Sequence, residues 1–198
     1  MSAGVQRFLL QVWRRIPRMG RRWVVRAVAP SYTVGAACVI ERDDGSVLLV
    51  RLVYRDGWGL PGGLIKRREP IADCARREVR EEVGVDVELT SEPAVVVDGR
   101  AQRVDVVFRA RLAAGADPDG ARPSSAEIRE VRWFTAGELP TLQHEAVTAL
   151  GALAASVRDD QAAAASPSAG PGGGPLALAA VAALAQRSAG GGAGDPGD

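Results

Sequence analysis

Acidic residues are missing from the start of this chain. No Asp or Glu precedes Glu41, whereas Arg7, Arg14, Arg15, Arg18, Arg21, Arg22 and Arg26 all do. The imbalance is local, because the whole 198-residue chain carries a formal net charge of +1. Bulk charge therefore predicts neither a nucleic-acid nor an acidic partner. Cysteine is almost absent: Cys38 and Cys74 cannot make a disulfide framework, and they point to a reducing compartment. Cys74 has no neighbouring base and reads as a small packed side chain. Histidine occurs once, at His144, without metal-ligand companions, so a structural or exposed role is expected. No apolar run reaches the ~18 residues that would span a bilayer. Arginines also break every run in the first thirty residues, so no secretory core is expected there and the cytoplasm is the predicted setting.

What is present divides the chain into three. In residues 1–30, Phe8, Leu9, Val12, Trp13, Ile16 and Met19 recur at helical spacing between arginines, and Gly20 is expected to split the pattern into two short helices. Two readings of this extension stand. It is a basic amphipathic segment lying on anionic lipid or touching nucleic acid, or it packs on its own domain or on a second subunit of a homodimer with its arginines solvated. Residues 31–157 hold the periodic segments. Tyr32–Ile40 reads as a buried strand, Asp43-Asp44-Gly45 as a turn, and Ser46–Val50 as its hairpin partner. Pro61-Gly62-Gly63 is expected to bend the backbone. Pro70 opens a helix to about Val83, and Gly84 stops it. Val85–Leu89, Ala94–Val97, Val104–Leu112 and Ile128–Phe134 read as strands, with a turn at Asp98-Gly99-Arg100 and a final helix over Leu142–Val157. Strands interleaved with two main helices argue α+β. Residues 158–198 turn to Ala, Gly, Pro and Ser, a composition that buries too little apolar surface to order itself.

Chemistry concentrates between Gly63 and Val85. On the predicted helix Glu78, Glu81 and Glu82 are spaced i, i+3, i+4 and share a sector of roughly 100°. Ala72, Ala75, Val79 and Val83 form the neighbouring apolar stripe. Like charges at this spacing repel by a few tenths of a kcal/mol per pair, roughly, so the trio reads either as a solvated acidic face or as a site holding a cation, and the residues flanking it favour the cation. Hard oxygen donors suit Mg²⁺ or Mn²⁺ rather than Zn²⁺.

The full stretch, Gly63-x5-Glu69-x7-Arg77-Glu78-Val79-x-Glu81-Glu82-x-Gly84-Val85, resembles the signature box of the Nudix hydrolases at every fixed position, with Trp58-Gly59-Leu60-Pro61-Gly62 leading into it. A weaker resemblance extends from about Tyr32 to Leu139. It implies an α/β/α sandwich around a mixed β-sheet, and Mg²⁺-dependent hydrolysis of a diphosphate bond in a nucleoside diphosphate linked to another moiety. It further implies Glu78, Glu81, Glu82 and the Gly62 carbonyl as metal ligands, with Arg77 orienting a catalytic carboxylate and Glu69 holding the loop to the helix. The family's general base is either a box glutamate, here Glu78 or Glu82, or a carboxylate from a later loop. Glu127 is the better loop position and Glu130 the other. Apart from the resemblance, Lys66 in the run Lys66-Arg67-Arg68 reads either as a contact to substrate phosphates or as part of a solvated loop, and Glu127 is also a candidate substrate-binding residue. Arg100-Ala101-Gln102-Arg103 stands where the ADP-ribose and dinucleoside-polyphosphate subgroups carry a proline or a tyrosine, so neither subgroup is supported.

Gly57-x-Gly59-x-x-Gly62 fits a dinucleotide fingerprint formally. It contains Pro61 and opens no helix directly, so it is not read as one. Trp58 and Trp133 are expected in the core, while Tyr54 is open either way. Two rival functions remain: a non-catalytic nucleotide-binding module on the same fold, and a peripheral membrane protein acting through residues 1–30.

Overall fold

Strand β1 (Thr33–Ile40) is buried on both faces, which is why it reads as a nearly continuous apolar run rather than an alternating one. The computed structural model describes residues 4, 13–15, 17–117 and 119–164. Helix α1 (Arg18–Val28) precedes β1. Then come β2 (Val47–Leu52), β3 (Gly62–Leu64), helix α2 (Ile71–Val83), β4 (Val87–Leu89), β5 (Ala94–Asp98), β6 (Arg103–Leu112) and β7 (Ile128–Phe134). A 3-10 turn at Ala136–Glu138 leads to helix α3 (His144–Ala164).

The main sheet is mixed. β1 pairs antiparallel with β3 on one side and parallel with β6 on the other, and β6 in turn pairs antiparallel with β4 and β5. Successive β1 residues serve opposite layers. Ala36, Cys38 and Ile40 pack with Cys74, Ala75, Val79 and Val83 of α2, while Val39 packs with Leu150 and Leu153 of α3. Each such fully buried Val, Leu or Ile contributes roughly 1.5–3 kcal/mol by leaving water, so both helices are held by their apolar stripes. The result is the expected α+β, α/β/α sandwich.

Helix α2 carries Asp73 in its first turn and Arg80 in its last, each favourable to the helix dipole. Gly84 ends it with φ 73° and donates its N–H to the Arg80 carbonyl. A side chain there costs ~1–2 kcal/mol in conformation alone, and its Cβ would meet Ser124 Oγ at 2.5 Å.

Four expectations need correction. Ser46–Val50 is not the ladder partner of β1: β2 pairs antiparallel with β7, and its pairing near β1 is limited to the Glu41–Val47 bridge just beyond the strand's end. Both flanks of β1 are taken by β3 and β6. With Val47, Leu48, Leu49 and Val50 all buried, β2 lies between the two cores, with Val47 and Leu49 in one and Leu48 and Val50 in the other. Gly62-Gly63 does not end regular pairing but forms the edge strand β3. A Cβ at Gly62 would stand 2.3 Å from the Ala36 carbonyl oxygen, so only glycine allows this approach. Gly20 lies inside α1, whose N-cap is Pro17. The final helix runs to Ala164, past Val157. Most of Val5–Ile16 and the tail beyond Ala164 lie outside the described residues.

Candidate functional site

Edge strand β3 and the outward face of α2 meet along one line, and that line holds the carboxylates. Glu78 and Glu82 are one helical turn apart, so both reach β3. Glu82 Oε2 accepts the Gly62 N–H at 2.9 Å. The Glu78 carboxylate lies over Gly63, where an added Cβ would stand 2.6 Å from it. Two adjacent glycines thus let two acidic side chains lie against backbone, which no larger residue permits.

Arg77 organises the outer flank. Its Nε donates to Glu69 Oε1 at 2.6 Å and its Nη2 to Glu69 Oε2 at 3.0 Å, a two-pronged pair. Nη1 donates to Glu78 Oε1 at 2.7 Å and to Glu81 Oε2 at 3.0 Å, and Nη2 reaches the Leu64 carbonyl at 3.3 Å. Glu69 also accepts the Lys66 N–H at 2.8 Å. The Arg77 hydrogen bonds and the Lys66 amide pull the Glu69 carboxyl down to about 2, and the same pairing raises Arg77. One guanidinium therefore clamps the loop before α2 and fixes the direction of Glu78.

Glu82 stands in a different environment. Burial pushes its carboxyl up, the Gly62 N–H pulls it back in part, and the charges of Glu78, Glu127 and Glu81 raise it further, to about 7. Opposite α2, Tyr54 Oη donates to Glu127 Oε2 at 3.2 Å, which orients Glu127 and leaves its other oxygen free.

Glu78, Glu82 and Glu127 line one end of a cleft of about 1070 Å³. Of the two loop carboxylates, the fold brings Glu127 to this cleft, while Glu130 sits in the β2–β7 ladder opposite Arg51. Glu81 and Lys66 are absent from the lining, and the Lys66 Nζ instead meets Glu81 Oε1 at 3.4 Å. Gly62 lines the cleft, with its N–H committed to Glu82.

The rest of the cleft lining holds residues that sequence reasoning did not assign. Arg55 pairs with Glu145 at 2.6 Å and Arg103 with Asp105 at 2.8 Å, and all four line the cleft with Gln143 and His144. His144, expected to be structural or exposed, is an exposed wall residue at the start of α3. Gln143 lines the cleft as a residue, while its Nε2 is buried with no hydrogen-bond partner. A sequence signal existed for Arg103 and Asp105: in Arg103-Val104-Asp105-Val106 the polar residues alternate, placing both on one face of a strand. Gly35 makes room for that face, since its Cβ would stand 2.8 Å from Asp105 Oδ1. Nothing in the sequence marked Gln143.

Other readings met the structure directly. Trp58 is buried edge-on to Phe134, with ring centroids 4.9 Å apart. Trp133 packs on the core beneath the Arg42 guanidinium, 4.1 Å from the ring centroid. Cys38 and Cys74 are free and buried, and burial pushes the Cys38 thiol up to about 12. Gly59 bridges Val50 rather than opening a helix, so the formal dinucleotide fingerprint is a strand connection.

Among the described residues, no three His, Cys, Asp or Glu side chains are gathered as a ready-made metal cage. Mg²⁺ does not require one, because it takes one or two carboxylates and completes its shell with water and phosphate oxygens. The donor set at the cleft fits that demand: Glu78 and Glu82 are hard oxygen donors against glycine backbone, and mutual repulsion around Glu82 is what a dication relieves.

Comparison with known proteins agrees with this architecture. A family model described as NUDIX domain matches residues 31–153. A MutT-like protein of Streptomyces ambofaciens is 32% identical over 110 residues, covering 56% of this chain and 68% of its own length. A CMP-5'-(N-acetyl-N-hydroxy-3-aminopropyl)phosphonate hydrolase of Streptomyces rubellomurinus is 34% identical over 135 residues, covering 61% of this chain and 63% of its own. The crystal structure of an ADP-ribose pyrophosphatase from Streptococcus suis superposes with a TM-score of 0.54 at 25% identity, covering 66% of this chain and 93% of that one. With the sandwich, the edge-strand glycines and the carboxylate face of α2 all in place, the chain belongs to the Nudix hydrolase family and is a pyrophosphohydrolase.

Proposed function

We propose that residues 31–157 form a Mg²⁺-dependent hydrolase cleaving the diphosphate bond of a nucleoside diphosphate linked to a second moiety. The observation that carries the reading is the meeting of Glu78, Glu82 and Glu127 at one end of a cleft beside Gly62-Gly63. Glu78 and Glu82 would hold Mg²⁺, or Mn²⁺ in its place, with Glu81 and the Gly62 carbonyl joining when the ion is bound. The ion supplies positive charge that offsets the phosphates' own and makes water a better nucleophile at neutral pH.

The chain's own groups do the rest. Arg77 keeps Glu78 in direction and Glu69 keeps Arg77, so the carboxylate need not reorganise during reaction. Glu127, held through Oε2 by Tyr54, presents its free Oε1 to take the proton of the attacking water. Lys66, freed from Glu81, would meet an outer phosphate oxygen. The paired Arg55–Glu145 and Arg103–Asp105 offer fixed donors and acceptors to the hydroxyls and base of a nucleotide. A volume of about 1070 Å³ lies at the top of the ~300–1,000 Å³ usual for small-molecule pockets, which leaves room for a moiety beyond the nucleoside. The buried free thiols agree with a reducing, cytoplasmic setting.

The test is product analysis across a panel of nucleotides with and without Mg²⁺, using the wild type, Glu82→Gln and Glu127→Gln. Loss of metal-stimulated turnover in Glu82→Gln, and a lower kcat with an unchanged Mg²⁺ requirement in Glu127→Gln, are expected. Full turnover in folded Glu82→Gln contradicts the metal role.

A further inference from the structure

Helix α1 has two properties that the catalytic domain does not use. Its sequence, Arg-Met-Gly-Arg-Arg-Trp-Val-Val-Arg-Ala-Val, is strongly amphipathic, yet among the described residues it packs extensively against no strand or helix of the sandwich. Met19 and Trp23, one turn apart and so on one side of the helix, are 71% and 75% exposed, and Val25 is 50% exposed. A large aromatic and a methionine left side by side in water mark a contact surface. Arg18 opens the helix and Arg14 and Arg15 precede it in sequence, all three exposed, and no acidic residue occurs before Glu41.

We propose that α1 is a membrane-surface anchor that lies in the plane of an anionic bilayer, with Met19 and Trp23 in the headgroup boundary and the arginines on lipid phosphates. Charge complementarity selects this occupant. A second copy of the same segment would bring arginine against arginine. A nucleic-acid backbone would satisfy the arginines but leave Met19 and Trp23 in water, whereas the bilayer interface takes both, and tryptophan favours that depth. Eleven helical residues span about 17 Å, too short to cross a hydrocarbon core of about 30 Å, so the helix lies on the surface. The family match begins at residue 31, outside α1, so the anchor is separable from the hydrolytic site.

The experiment is co-sedimentation of the full chain with vesicles of phosphatidylcholine, and with vesicles in which about a third of the lipid is anionic phosphatidylglycerol. The wild type is expected to partition at least about tenfold more onto the anionic vesicles, and to be released by salt. Met19→Glu/Trp23→Glu is expected to fall to the phosphatidylcholine level with unchanged nucleotide turnover, which also shows that it is folded. Arg14→Gln/Arg15→Gln/Arg18→Gln is expected to lose the preference for anionic lipid. The proposal is overturned if the wild type stays in the supernatant with both vesicles, or if the Glu double variant pellets as the wild type does. It is also overturned if α1 instead mediates a dimer that the double variant dissolves without any vesicle binding, or if a single-stranded RNA oligonucleotide displaces the vesicles.

Discussion

Replacing Glu82 by Gln gives a stability change whose sign reverses ordinary intuition about removing a buried hydrogen-bonding group. In the metal-free fold the Glu82 carboxyl sits near 7, against 4.5 in its ordinary state, mainly because it is buried and then because Glu78, Glu127 and Glu81 surround it. A raised acid binds its proton more tightly in the folded state than in the unfolded one. Folding is therefore unpenalised below pH 4.5, loses stability as pH rises between 4.5 and about 7, and carries the full penalty above that. The gap corresponds to about 3 kcal/mol at pH 8, reduced to roughly 1–3 kcal/mol because Glu82 is partly exposed. Gln removes the charge and keeps an oxygen for the Gly62 N–H, so the variant is expected to be more stable than the wild type at pH 8 in EDTA. That is a rise of roughly 3–10 °C in Tm for a domain of this size. Below pH 4.5 the two are expected to coincide. Urea unfolding at both pH values in EDTA measures this, and added Mg²⁺ is expected to stabilise the wild type more than the variant. A variant less stable at pH 8, or an offset of equal size at both pH values, would refute the reasoning.

Other perturbations separate the parts of the site. Gly63→Ala places a Cβ 2.6 Å from the Glu78 carboxylate, so kcat is expected to fall by about a hundredfold from displacement of that group alone; steady-state kinetics with a thermal melt tells this from unfolding. Glu69, held at about 2, contributes stability that is fully present above its ordinary 4.5 and disappears as pH falls through 2. Glu69→Gln is accordingly expected to flatten the acid-unfolding profile between those values, followed by circular dichroism. Gln143→Ala removes a polar side chain from the cleft lining, and a rise of roughly three- to tenfold in KM with kcat preserved is expected; a fall in kcat alone would place Gln143 elsewhere. Leu150→Ala empties a fully buried site under α3 and is expected to cost about 2–5 kcal/mol in chemical denaturation, with KM unchanged.

The carboxylate half of the site was legible in sequence because it is local. Glu78 and Glu82 lie one turn apart on a helix whose start at Pro70, apolar stripe and stop at Gly84 are all written within a few residues. Helix geometry then puts both on one face whatever the rest of the chain does. The pairing of Arg77 with Glu69, across one turn of loop and helix, is nearly as local.

Tertiary structure decided everything that depends on which strand lies beside which. Ser46–Val50 sits next to β1 in sequence, yet pairs with β7 because parallel β6 and edge strand β3 already flank β1. Gly62 and Gly63 read as a bend from composition, and their role as an edge strand follows only from the distance to Ala36 and Glu78. The sequence ranked Glu127 above Glu130, and the fold sets the two apart by where each sits: Glu127 lines the cleft and Glu130 lies in the β2–β7 ladder. The cleft lining joins Arg55, Arg103, Asp105 and Gln143 from a loop, a strand and the approach to a helix. Helical and strand periodicity act over a few residues and are encoded there. Cross-strand register and cleft walls are set by burial summed over the whole domain, and no local spacing records them.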